Sequence, residues 1–277
     1  MAPPMLERII VGYDGSDLAR EAFNYALILA QATGCVVKVI HALEPTPPPV
    51  VVDPAMGFDA GPAMASMQEA ADEQRQWAEE AFVDLRRKAE SAGVPITTSI
   101  DVGRLVPLLC DTAGAGDLIA VGHKGRFHSG GVGSSTRSLV EHAPCPVLIV
   151  STPARPIVRV VTIFNGSAPS KKAIAFASAI ARDAGWPHEV LAIEGPALTM
   201  EESARRAVEL APDAGVVPMC EKKLHEHNTL SEHAVATDGY ALVIKGAYAG
   251  SKLHDLIFGG TTARYLKAIA APIALVH

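Results

Sequence analysis

The chain repeats itself. Ile9-Ile10-Val11-Gly12-Tyr13-Asp14-Gly15-Ser16 returns as Val160-Val161-Thr162-Ile163-Phe164-Asn165-Gly166-Ser167. Gly133-Ser134-Ser135-Thr136 through Pro146 returns as Gly259-Gly260-Thr261-Thr262 through Pro272. Such a duplication implies two related halves rather than one irregular domain. The second half is the shorter, and most of its loss falls after its second strand. Ser151 to Pro156 reads as the linker, so residues 1–152 and 157–277 are expected to form two domains.

Within each half, short aliphatic runs alternate with segments of helical period, the pattern of a parallel sheet covered by helices on both faces. The first half predicts strands at Arg8 to Tyr13, Val36 to His41, Val94 to Ile100, Asp117 to Val121 and Val147 to Val150. A helix from Asp17 to Thr33 follows a Ser16 cap and stops at Gly34. A second, from Ala65 to Ser91, repeats Met67, Ala71, Ala78, Ala81, Leu85 and Ala89, with Asp84 and Lys88 paired four apart. The second half predicts strands at Val158 to Ile163, Glu189 to Ile193, Gly215 to Met219, Ala241 to Lys245 and Ile273 to Val276, joined by shorter, less amphipathic helices. Glu44 to Pro62, rich in proline, reads as an extended loop or lid.

The stretch from Leu118 to Val150 carries the chemistry. An aliphatic strand breaks into Gly122-His123-Lys124-Gly125 and then Gly130-Gly131-Val132-Gly133, and Ser134-Ser135-Thr136 opens a helix. Glycine frees successive backbone N–H groups to converge on an anion, and a helix start adds a positive dipole end with unsatisfied amides. A phosphate chain suits such a place. Asp14, at the end of the first strand, supplies a carboxylate able to accept from a ribose hydroxyl or an adenine amine, or to help hold magnesium. Gly122→Val is expected to fill the phosphate space while the fold persists.

Other chemistries fit less well. Gly-x-x-x-x-Gly-Lys-Ser/Thr does not occur, no Gly-x-Gly-x-x-Gly follows the first strand, and Ser134 and Ser135 lack the Gly-x-Ser-x-Gly elbow of a hydrolase. An adenylating enzyme would want a Ser-Gly-Gly-x-Asp-Ser type of loop where Asp14-Gly15-Ser16-Asp17 stands. His142 reads as a helix-end residue, and His225, His227 and His233 as a solvated loop rather than a metal site. Cys35, Cys110, Cys145 and Cys220 are scattered among apolar segments, as buried reduced thiols are. The net charge of −6 argues against a nucleic-acid partner. No apolar run is long enough to span a bilayer, and Met1 to Met5 lacks the basic and apolar regions of a signal peptide, so a cytoplasmic place is expected.

The strand ending in Asp14-Gly15-Ser16, the Gly-x-x-Gly of Gly122 and Gly125, the helix start at Gly133-Ser134-Ser135 and the closing His142-Ala143-Pro144-Cys145-Pro146-Val147 strongly resemble the universal stress protein family, in its tandem two-domain form. The resemblance implies two flavodoxin- or Rossmann-like α/β domains, each with a five-stranded parallel sheet, docked as an internal pseudo-dimer. Strands Val147 to Val150 and Ile273 to Val276 would then pair across the junction. It implies ATP as ligand, with magnesium and the assembly of whole chains into a homodimer left open. Gly12, Tyr13, Asp14 and the backbone around Ala42 would meet the adenosine. Val121, Gly122, Lys124, Gly125, Arg126, Gly133, Ser134, Ser135 and Thr136 would meet the ribose and phosphates.

The family's ATP-binding pattern has nine residues between the second and third of these glycines; here Arg126 to Val132 make seven. In the second half, Asn165 replaces the aspartate and Lys245 to Gly250 does not align with Gly-x-x-Gly. The expected function is nucleotide-dependent regulation in stress adaptation. Two alternatives stand beside it: a nucleotide-free dimerisation or docking module, and a slow ATPase.

Overall fold

A computed structural model describes residues 6–44, 61–125, 133–195, 197–220, 233–234, 239–247 and 271–277, with 61–64 in backbone only. Ten strands form a single sheet. In chain order they are β1 (Arg8–Gly12), β2 (Val36–Leu43), β3 (Ile96–Val102), β4 (Asp117–Gly122), β5 (Val147–Val150), β6 (Ile157–Phe164), β7 (His188–Ala192), β8 (Gly215–Pro218), β9 (Tyr240–Gly246) and β10 (Ile273–Val276). The described helices are α1 (Asp17–Thr33), α2 (Gly61–Ser91), α3 (Leu105–Thr112), α4 (Ser134–His142), α5 (Ala168–Ala184) and α6 (Met200–Leu210).

The strand order is β3-β2-β1-β4-β5-β10-β9-β6-β7-β8. Each half repeats the doubly wound 3-2-1-4-5 order, the Rossmann rather than the flavodoxin variant. Strands within a half run parallel, and the halves join antiparallel through β5 and β10, with Ile273 opposite Ile149 and Leu275 opposite Val147. The expected pairing of the two last strands is therefore present. Both strands are wholly buried, as parallel strands covered on two faces must be.

Local chemistry sets the ends of the elements. The Ser16 hydroxyl accepts from the Ala19 N–H at 3.1 Å, and α1 stops where Gly34 turns left-handed at φ 76°. The half-buried Arg8 guanidinium grips the buried Asp117 through Nε–Oδ1 at 3.1 Å and Nη2–Oδ2 at 2.7 Å, tying the start of β1 to the start of β4. This fork fixes the register of the two strands between which the chain's order of connection reverses. Ligands of such sheets bind beyond the carboxyl ends of those strands.

Several details differ from the sequence expectations. β3 begins two residues late, because the Val94 N–H is spent on the Ala89 carbonyl in the turn after α2, and it runs on to pair Asp101 and Val102 with Ala42 and Leu43. Helix α5 is as long as α1, and its buried stripe Ala173, Ile174, Ala177 and Ile180 is as regular, so the second half's helices are not uniformly shorter or weaker. Only the 11-residue α6 is short beside the 31 residues of α2. Asp84 pairs with Arg87 at 2.7 Å, not with Lys88, which reaches Asn24 instead. All four thiols are free, but Cys220 is exposed and Cys110 only half-buried. Cys145 is buried, and loss of solvation pushes its pKa up to about 12. Residues 45–60 of the expected lid lie outside the described residues, while Gly61 and Pro62 open α2.

Candidate functional site

A cavity of about 440 Å³ opens beyond the carboxyl ends of β1 and β4. Gly12, Tyr13 and Asp14 reach it from the end of β1, and Ala42 from β2. Val121, Gly122, Lys124 and Gly125 come from the end of β4, and Gly133, Ser134, Ser135 and Thr136 from the start of α4. Every residue that the sequence assigned to the site lines this one space except Arg126, which lies outside the described residues.

The part of the cavity at the start of α4 is shaped by backbone. Gly133 takes the N-cap position of α4 with extended φ −61° and ψ 151°, and no side chain caps the helix. By contrast α1, α5 and α6 each have a Ser or Thr hydroxyl on a first-turn amide. The first-turn amides of α4 have no partner within the helix, and they belong to residues that line the cavity beside Lys124. The loop is held in place around them. The Gly133 N–H donates to the His123 carbonyl at 2.8 Å, and the buried Thr136 hydroxyl donates to the Gly122 carbonyl at 3.0 Å. Thr136 thus commits its proton to joining β4 and α4. Burial, with Lys124 beside it, lowers the pKa of His123.

Three glycines at this mouth play different parts. A Cβ on Gly12 would stand 3.0 Å from Leu109 Cδ1 and 3.1 Å from Val121 Cγ1, so its absence lets α3 close on the sheet. A Cβ on Gly122 would lie 2.8 Å from Leu18 Cβ and 3.1 Å from that residue's carbonyl carbon. The space saved at Gly122 is therefore taken by α1, not by the cavity, which corrects the expectation that Gly122→Val fills the phosphate space: the added side chain meets Leu18 first. Gly125 is the glycine that faces the site, for its Cβ would meet Asp14 Oδ2 at 2.8 Å. Asp14 Oδ1 meanwhile accepts from the Ser16 N–H at 3.0 Å, which holds the carboxylate at the strand end.

The other end of the cavity is aromatic and was only partly legible. His41, Glu44, Gln74, Trp77 and Leu105 line it although the sequence reading passed them over. His41 is buried, and its Nδ1 lies 2.8 Å from the Tyr13 carbonyl. A carbonyl only accepts, so that nitrogen carries the proton. Trp77 lies parallel to Tyr13, with ring centres 6.3 Å apart and planes 10° apart, and edge-on to His41 at 5.5 Å. One signal was available: Trp77 stands one helical turn before Ala81, on the stripe that faces the core. His142 does sit at a helix end, with Nδ1 2.8 Å from the Ser138 carbonyl.

The second half repeats the scaffold with different side chains at the matching strand ends. Ile163 stands in the place of Gly12, Phe164 of Tyr13, Asn165 of Asp14, and Ala192, which pairs with Phe164, of His41. The segment after β7 presses on the end of β6, where a Cβ on Gly195 would meet the Asn165 carbonyl oxygen at 2.0 Å. The counterpart glycines Gly250, Gly259 and Gly260 lie outside the described residues. So do His225 and His227, while His233 pairs with Glu189 at 2.8 Å.

The sequence model of the Universal stress protein family matches residues 5–151, which holds the whole of this cavity. The chain belongs to the universal stress protein family. A universal stress protein of Synechocystis, Slr1230, is 22% identical over 286 residues, covering 97% of this chain and 99% of its own, so the likeness runs through both halves. A universal stress protein of Thermus aquaticus is 32% identical over 152 residues, 53% of this chain and 99% of its own length. Among solved structures, a universal stress protein from Archaeoglobus fulgidus superimposes with a TM-score of 0.72 at 16% identity over 98% of this chain and 96% of its own. That likeness speaks to the fold. Among the described residues, no helix is long and apolar enough to cross a membrane.

Proposed function

We propose that the first half binds ATP and that its occupancy regulates the conformation or the partners of this universal stress protein in the cytoplasm. One observation carries the reading: the uncapped start of α4, Lys124 and the Asp14 carboxylate share a single cavity with the aromatic wall of Tyr13, His41 and Trp77. Amides and a cation suit a polyphosphate, and a flat apolar wall suits a base. Asp14 and the backbone of Ala42 would then meet the adenosine, and Gly122, Gly125, Gly133, Ser134 and Ser135 the ribose and phosphates. Magnesium would enter with the triphosphate.

In this reading, residues 1–152 form the binding domain and 157–277 its partner, which has Asn165 in place of Asp14 and Ala192 in place of His41 and takes no nucleotide. The protein is a binder rather than a catalyst. Phosphate release above background that is lost on changing Asp14 or Lys124 would instead make it an ATPase. The test is to denature freshly purified protein, identify any nucleotide released, and measure thermal stabilisation by added ATP. Released adenine nucleotide together with a rise in Tm supports the reading. Neither would favour a nucleotide-free docking module, the reading motivated by the seven-residue loop.

A further inference from the structure

We infer that Trp77 is the residue that reads the base, giving the cavity its preference for a purine nucleotide over a bare polyphosphate. This rests on the nucleotide reading above and adds a specificity determinant to it. The indole is held in advance by its neighbours. Gly15, at φ 76°, leaves the room that the ring occupies, since a Cβ there would lie 2.2 Å from Trp77 Cη2. Tyr13 lies parallel to the ring, and His41, itself pinned to the Tyr13 carbonyl, meets it edge-on. A wall ordered before the ligand arrives loses little freedom on binding, so its stacking contributes to affinity almost undiminished.

Two comparisons within the molecule strengthen the assignment. In the second half, Leu198 occupies the corresponding place, where a Cβ on Gly166 would lie 2.2 Å from Leu198 Cδ1, and Ala192 replaces His41. The wall that is aromatic in the first half is thus aliphatic in the second, where Asn165 also replaces Asp14. Trp77 and Tyr13 are also the residues common to this cavity and to a groove of about 650 Å³ between α1 and α2. The half-buried indole is thus part of the partition between the two spaces.

The experiment compares the natural chain with Trp77→Ala and Trp77→Phe, titrating each with ATP and with inorganic tripolyphosphate, which has no base. Loss of one base–aromatic stack should weaken ATP roughly tenfold or more in Trp77→Ala, leave tripolyphosphate unchanged, and be largely recovered in Trp77→Phe. The chain has two tryptophans, Trp77 and Trp186. In a Trp186→Phe background, ATP should therefore quench the remaining fluorescence and tripolyphosphate should not. The quench and the Trp77→Phe variant decide the matter even if Trp77→Ala unfolds. Unchanged ATP affinity in Trp77→Ala, equal weakening of both probes, or no quench with bound ATP would overturn the role of Trp77 while leaving nucleotide binding intact. A natural chain that binds neither probe would remove both proposals.

Discussion

One added methyl group should act in opposite ways at two glycines three residues apart. In Gly122→Ala the new Cβ stands 2.8 Å from Leu18 Cβ, 3.1 Å from its carbonyl carbon and 3.3 Å from its oxygen. Carbon atoms rest at about 3.5–4.0 Å, so the first turn of α1 must lift from β4 by roughly 0.7 Å or more. That helix cannot lift freely. It is capped by Ser16, buries Ala19, Ala22 and Phe23, and is tied to the linker by the Tyr25 hydroxyl donating to the Pro153 carbonyl. Overpacking of this kind costs about 1–3 kcal/mol, which lowers Tm by roughly 2–10 °C in a chain of this size. In Gly125→Ala the Cβ instead meets the end of a side chain, Asp14 Oδ2 at 2.8 Å, and Gly125 is exposed with no left-handed φ. Asp14 can swing aside only by giving up the Ser16 N–H, so the cost to stability is that of one hydrogen bond, about 0.5–1.5 kcal/mol. The carboxylate then leaves the place where it would accept from the ligand, and a charged hydrogen bond of about 1.5–3 kcal/mol makes the loss of ATP affinity tenfold or greater. Thermal unfolding and calorimetric titration on the same preparations check both halves. A Gly122→Ala protein with unchanged Tm, or a Gly125→Ala protein with unchanged ATP affinity, would refute the division of roles.

Two further outcomes follow from the same geometry. His188, between the Thr162 hydroxyl at 2.9 Å and the Ser178 hydroxyl at 3.4 Å, is kept neutral by burial, its pKa lowered to about 4. The unfolded chain binds that proton nearer pH 6.5, so stability should hold above pH 6.5 and fall by about 2–3 kcal/mol as pH drops from 6.5 to 4; denaturant unfolding of His188→Gln should show a shallower fall. The caps at Ser16 and Ser167 accept from Ala19 and Ser170 at the two repeated strand ends. Either Ser→Ala change should cost about 1 kcal/mol by chemical denaturation, but only Ser16→Ala, whose side chain lines the cavity, should also weaken ATP.

The sequence revealed most where local chemistry decides. Both ends of α1 were legible because a hydroxyl cap and a left-handed glycine each act within a few residues, and β5 and β10 were legible because wholly buried strands are wholly aliphatic. The edge strand β3 was displaced because none of its residues is fully buried, leaving no clean apolar pattern against the turn after α2. The cavity residues at the end of β4 and the start of α4 belong to one continuous segment, and the sequence singled them out together. The aromatic end of the cavity was not singled out, since Trp77 reaches it only through the docking of a 31-residue helix more than sixty positions from Tyr13. Gly122 shows the limit most plainly: its sequence context is that of a phosphate loop, yet the space it saves belongs to Leu18.

The most direct measurement is the number of ATP molecules bound per chain at saturation, obtained by calorimetric titration of nucleotide-stripped protein. With Asp14, His41 and Trp77 around the cavity of the first half and Asn165, Ala192 and Leu198 at the matching places of the second, the expected value is one, falling to none in Gly125→Val. A value of two would place a working site in the second half, and a value of zero would empty the first.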